Sequence, residues 1–188
     1  MEIRKTELDY LKIFIRNVVN SLFGMFMGRL NFSWVIPNLL AGCAGPVDEN
    51  ELLFLKQQGI KLLVRLAEKR KAKVTSEQVL RVGLDDLHEP VLDFHAPSQE
   101  QIERIVKEVK EFLKDGKAVV ISCGAGVGRT GTVLACILIA LGYNFDEAVE
   151  KIKRTRKQPT AWETEEQHQA ILEYAKRLRK TYISNFLC

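Results

Sequence analysis

The chain has 188 residues, 46% of them hydrophobic and 28% charged, the make-up of a single soluble globular domain able to bury its own core, which excludes a disordered or low-complexity chain. A formal net charge of +4 suits acidic phosphopeptides or other anions and falls short of a nucleic-acid footprint. The four cysteines at 43, 123, 136 and 188 show neither paired nor metal-ligand spacing, and the three histidines at 88, 95 and 168 form no cluster. No disulfide framework, metal or other cofactor is therefore expected, and a reducing cytoplasm is the expected setting.

Residues 1–30 read as an N-terminal amphipathic extension to a domain over 31–182. Leu8, Leu11, Ile15, Val18, Leu22 and Phe26 recur at helical spacing, yet polar residues interrupt the stretch too often for a membrane span. Two readings stay open here: a helix or extension belonging to its own domain, and an interfacial helix making weak contact with a membrane or a partner. Further on, Trp34–Ala41 reads as a first strand that turns near Pro37-Asn38. Glu49–Gln58 reads as a helix, Lys61–Ala67 as a strand, Glu68–Ser76 as a charged connection and Val79–Leu84 as another strand. Ser98 with Gln101 forms a capping box for a helix through Leu113, and Asp115-Gly116-Lys117 stops it. Ala118–Ser122 is a continuous apolar strand, placed at the centre of a sheet. Thr130–Leu141 is apolar nearly all round and reads as a buried helix; Asp146–Arg156 and Glu163–Lys180 are two more, separated by Pro159. Strands alternating with helices imply an α/β fold with a central, mostly parallel sheet flanked by helices.

The most informative stretch joins that central strand to the buried helix: Ser122-Cys123-Gly124-Ala125-Gly126-Val127-Gly128-Arg129-Thr130. Glycines at alternate positions let the backbone of 124–128 turn its N–H groups, those of Ala125 and Val127 included, around an anion at the electropositive end of the following helix. Arg129 adds a permanently charged fork for phosphate oxygens. The same field favours the thiolate at Cys123, the form that attacks phosphorus. A phosphate held beneath a thiolate is the arrangement of a cysteine-dependent phosphatase. A leaving alcohol needs a proton donor, and Asp85, Asp86, Glu89 and Asp93 all compete for that part on composition. Arg104, Arg154 and Arg156 read as surface arginines, and Asp85 and Asp86 as a solvated turn.

The Cys123-to-Arg129 loop followed by Thr130-Gly131 resembles the signature loop of protein tyrosine phosphatases. Asn31-Phe32-Ser33-Trp34-Val35, Leu40-Ala41-Gly42, Asp93-Phe94 with Pro97, and Glu163-Thr164 with Gln167 extend the resemblance to the small atypical dual-specificity phosphatases, from about Asn31 to Tyr174. The resemblance implies a cysteine-phosphatase fold and a dual-specificity-type catalytic domain. It implies Asp93 as the general acid, 30 residues before Cys123, and Thr130 as a hydroxyl near the sulfur. For Gln167 it implies a place near the hydrolytic water, with a solvated helix face as the alternative. It further implies phosphorylated proteins as partners and substrates, phosphotyrosine with phosphoserine and phosphothreonine, handled by a monomer. One departure stands out: members usually carry His before the nucleophile, and here Ser122 takes its place. Two other functions stay open. Hydrolysis of inositol phosphates or phosphoinositides is disfavoured because Ala125 and Val127 put no lysine in the loop. A phosphoprotein-binding module without chemistry is disfavoured because Cys123 and Asp93 are both present.

Overall fold

The computed structural model describes residues 28–186. Five strands form one sheet: β1 (Ser33–Ile36), β2 (Leu40–Ala44), β3 (Ile60–Arg65), β4 (Asp85–His88) and β5 (Ala118–Cys123), in the spatial order β1-β2-β5-β3-β4. Only the β1–β2 pair is antiparallel. The expected first strand is thus a hairpin, turned by Asn38 at a φ of 58° where an Asn side chain tolerates the left-handed region. Among the described residues from Ser33 onward, six helices accompany the sheet: α1 (Glu49–Gln57), α2 (Ser76–Arg81), α3 (Gln99–Lys114), α4 (Gly128–Ala140), α5 (Phe145–Arg156) and α6 (Glu165–Phe186). None of the described helices is long and apolar enough to cross a membrane.

Every residue of β5 is buried, as a strand with helices over both faces requires. Its alternation divides the core. Val119, Ile121 and Cys123 pack with α3, α4, α5 and α6 on one face, whereas Ala118 and Val120 join Leu52, Leu55 and Val79 of α1 and α2 on the other. All of α4 is buried, including Leu134, Ile137 and Leu138, each of which contributes about 1.5–3 kcal/mol by leaving water. The capping box of Ser98 and Gln101 starts α3 as the spacing predicts. Leu30 is buried beside the second core layer, while the amphipathic pattern proposed for the preceding residues lies outside the described ones.

One expected strand is absent. Val79–Leu84 belongs to α2 and the turn after it, because Thr75 and Gln78 close a reciprocal capping box that nucleates a helix there. The strand starts at Asp85 instead. Its Asp86 is not part of a solvated turn: Arg65 donates to both carboxylate oxygens at 2.7 Å, and both side chains are buried.

Candidate active site

The glycine-rich loop leaves the C-terminal end of β5 and runs straight into α4, so the N-terminus of a 13-residue helix points at it. Its backbone is fixed from outside. The Gly124 carbonyl accepts from the Gly45 amide at 3.1 Å, and the Ala125 carbonyl accepts from Asn31 Nδ2 at 3.2 Å. The Gly126 carbonyl accepts from Arg156 Nη2 at 2.7 Å and Gln158 Nε2 at 3.3 Å. With three successive carbonyls drawn outward, the intervening amides turn toward the concave side. Gly126 makes the sharpest part of this path at a φ of 75°, and a Cβ there would lie 2.5 Å from the Ala44 nitrogen.

Cys123 is buried at the base of the loop, and the Gly126 amide donates to its Sγ at 3.3 Å. The sulfur lines a cleft of about 400 Å³ whose other walls include Pro46, Val47, Glu68, Lys71, Asp93 and Arg129. Ser122 points into the other layer, its hydroxyl donating to the Val64 carbonyl at 3.0 Å and so tying the root of the loop to β3. Thr130 is fully buried, and its Oγ1 has no hydrogen-bond partner among the described residues. Gly128 departs from the expectation that its amide faces an anion: the N–H donates to Glu163 Oε2 at 2.8 Å.

Arg129 is buried and spans the cleft. Nη1 donates to the Val91 carbonyl at 2.9 Å and to Glu68 at 3.3 Å, while Nη2 donates to Asp93 Oδ1 at 2.5 Å. Lys71 lies 3.2 Å from Glu68 and 3.4 Å from Asp93. The four side chains thus close a ring of alternating charge, Arg129–Asp93–Lys71–Glu68. Partial burial works against the Glu68 carboxylate, but the Lys71 hydrogen bond and the Arg129 charge hold its carboxyl below the usual carboxylate range.

Asp93 sits on a turn held in place by the start of α6. Phe94, at a φ of 62°, presents its carbonyl to Thr164 Oγ1 at 3.0 Å, and the His95 carbonyl accepts from Gln167 Nε2 at 3.1 Å. Glu166 accepts from the Ala96 amide and pairs with His95 Nδ1, both at 3.1 Å. Gln167 is fully buried and its Oε1 accepts from the Glu163 amide, so it braces two segments and lies on no solvated face.

Arg156 corrects a reading from sequence. It is no surface arginine: it is buried beneath the loop and donates to Ser33 Oγ at 2.9 Å and the Asn31 carbonyl at 3.2 Å as well as to Gly126. Burial lowers its pKa. By contrast Arg104 is the exposed partner of Glu89 that the sequence suggests. Nothing local marks Arg156, Glu68 or Gly45 as site residues, whereas Asn31 and Glu163 both lie in the stretches that carried the resemblance.

A family model described as "Polymorphic toxin system, DSP-PTPase phosphatase" matches residues 42–143, a span containing the whole loop, Asp93 and α4. The chain belongs to the dual-specificity and protein tyrosine phosphatase family. Among solved structures, Tk-PTP in its active form is 30% identical, with a TM-score of 0.72 over 78% of this chain and 97% of that one. PTPMT1 gives the same TM-score at 19% identity, over 81% of this chain and 99% of that one, a likeness of fold. An uncharacterised protein of Methanocaldococcus jannaschii is 40% identical over 91 residues, 48% of this chain and 60% of the relative. The chain spans 60% of the length of that relative and 57% of a second uncharacterised protein from the same organism. Membership and fold together support a phosphatase-family domain, in which the Cys123 loop, Arg129 and the Asp93 turn are brought to one cleft.

Proposed function

We propose that this phosphatase hydrolyses phosphomonoesters on protein side chains, phosphotyrosine with phosphoserine and phosphothreonine, through a cysteinyl-phosphate intermediate. The observation that carries the proposal is the outward anchoring of the 124–126 carbonyls above the Cys123 sulfur, which forms a cradle of amides for a phosphoryl group over a nucleophile. Arg129 closes the cradle opposite the sulfur.

Substrate binding is an exchange of anions. The phosphate dianion takes the Arg129 Nη2 donor now held by Asp93, and the released Asp93 carboxylate takes up a proton from solvent and turns to the leaving oxygen. Cys123 Sγ attacks phosphorus, the P–O bond to the leaving group breaks, and Asp93 delivers its proton to the departing alcohol. Water then attacks phosphorus, Asp93 takes a proton from it, and the P–S bond breaks to return the thiolate, with the unpartnered Thr130 hydroxyl available to the sulfur. The Ser122 bond to Val64 does part of the ordering that a histidine would otherwise supply.

The test is hydrolysis of p-nitrophenyl phosphate across pH in the presence of a chelator. Wild type should be active, Cys123→Ser inactive, and Asp93→Ala slower by about 100-fold. Full activity in Cys123→Ser would overturn the mechanism.

A further inference from the structure

The connection between β3 and α2 carries the run Glu68-Lys69-Arg70-Lys71-Ala72-Lys73, and Glu68, Arg70, Lys71 and Lys73 all line the same cleft as Cys123. These charges are not equivalent. Glu68 is held against Arg129 at 3.3 Å and Lys71 at 3.2 Å, and Lys71 also reaches Asp93. Arg70 and Lys73 are exposed on the cleft wall and have no ion pair among the described residues. The cleft therefore holds a charge-compensated ring of Arg129, Asp93, Lys71 and Glu68, and beside it two further cations, Arg70 and Lys73, that the ring does not use.

We propose that Arg70 and Lys73 form a second anion subsite that selects phosphopeptides with an acidic side chain flanking the phosphorylated residue. The proposal rests on the phosphatase reading above and names its substrate class. A second anion immediately beside the scissile phosphate meets the Glu68 carboxylate and is repelled. One carried along the cleft wall meets Arg70 and Lys73, which have no ion pair among the described residues. An extended peptide advances about 3.3–3.6 Å per residue, so a flanking Asp or Glu is carried away from the scissile phosphate along that wall. To the crowded phosphates of an inositol ring the loop itself offers only Ala125 and Val127, with no basic side chain. Pro46, Val47, Ala72 and Val74 complete the wall, an apolar surface suited to peptide side chains.

The experiment measures affinity by fluorescence anisotropy in a Cys123→Ser background, which separates recognition from chemistry. The probes are two phosphotyrosyl peptides, one flanked by Glu and Asp and one by Ala and Gly, together with an inositol trisphosphate as competitor. The acidic peptide should bind about fivefold to tenfold tighter than the neutral one at low salt. Arg70→Ala with Lys73→Ala should remove that preference while leaving neutral-peptide affinity unchanged. Equal affinities for the two peptides would overturn the subsite, as would a preference that survives the double variant. Tighter binding of inositol trisphosphate than of the acidic peptide would overturn it in favour of a polyphosphate ligand. Turnover of p-nitrophenyl phosphate by the otherwise wild-type protein reports separately on the phosphatase reading, so failure of one is distinguishable from failure of the other.

Discussion

Replacing Arg156 by Met tests whether the phosphate cradle is held open from below. The change keeps bulk and removes donors to Gly126, Ser33 and Asn31 at 2.7, 2.9 and 3.2 Å. A bond from a charged donor is worth about 1.5–3 kcal/mol, and a buried carbonyl stripped of its donor costs about 1–3 kcal/mol. The Gly126 carbonyl keeps Gln158 at 3.3 Å, and Met also relieves the protein of a cation whose burial already opposes its charge. These opposing effects leave a net destabilisation of about 2 kcal/mol, or a fall in Tm of about 4–8 °C for a domain of this size. The larger effect is on the cradle. A Gly126 peptide free to rotate withdraws an amide from the phosphoryl oxygens, and loss of one such donor lowers kcat by about 100-fold. The assay is kcat/KM for p-nitrophenyl phosphate with inhibition by inorganic phosphate, alongside thermal melting. Both kcat/KM and phosphate affinity should fall, and Arg156→Lys should recover little, because a single ammonium cannot serve three acceptors in one plane. A variant that melts early yet hydrolyses within about threefold of wild type would refute the cradle role and leave Arg156 as a packing residue.

Gly126→Ala should be more severe than its size suggests: the left-handed backbone alone costs about 1–2 kcal/mol, and the new Cβ would sit 2.5 Å from β2 backbone atoms. Far-UV circular dichroism should stay native while phosphate binding, measured calorimetrically, is lost. Asp86→Asn breaks a buried bidentate pair and should cost about 3–5 kcal/mol at pH 7. Burial opposes the Asp86 charge, but hydrogen bonds from Arg65 and Ser76 outweigh it and keep the carboxyl below its usual range. The folded-state value being the lower one, this stability is present above the unfolded value near ~4 and lost as pH falls toward the folded one. Urea melts of wild type and variant should therefore converge at acid pH and differ at neutral pH. Burial pushes the Cys43 and Cys136 thiols far up, so brief iodoacetate treatment followed by peptide mapping should spare both and label Cys123. Equal labelling of Cys43 would contradict the packing described.

The parts of the fold that were legible in the sequence are those specified by neighbours in the chain. The Ser98–Gln101 box, the unbroken apolar run of β5 and the wholly buried α4 each declare themselves within a few residues. So does the loop that joins β5 to α4, with its alternate glycines between strand and helix. Val79–Leu84 misleads because Val79, Leu80, Val82 and Leu84 make it an apolar run, while the cap that decides for a helix, Thr75 with Gln78, stands just upstream. Asp86 and Arg156 were misjudged for a different reason: each is a charged residue whose burial depends on a distant partner. Arg65 lies 21 residues from Asp86, and Asn31 lies 125 residues from Arg156. Only the folded sheet brings such groups together. It also separates Cys43 from Cys123, whose strands are adjacent but whose side chains enter opposite layers, so a disulfide between them would require the β2–β5 register to break.

The few residues that open α6 touch both halves of the chemistry, Glu163 through the Gly128 amide and Thr164, Glu166 and Gln167 through the acid turn. Damage to this joint has a kinetic signature of its own. Thr164→Val would leave Cys123 in place while loosening the Asp93 turn, so turnover of alkyl phosphates would fall further than that of aryl phosphates with good leaving groups. Rate plotted against leaving-group acidity would steepen, a change invisible to any single-substrate assay.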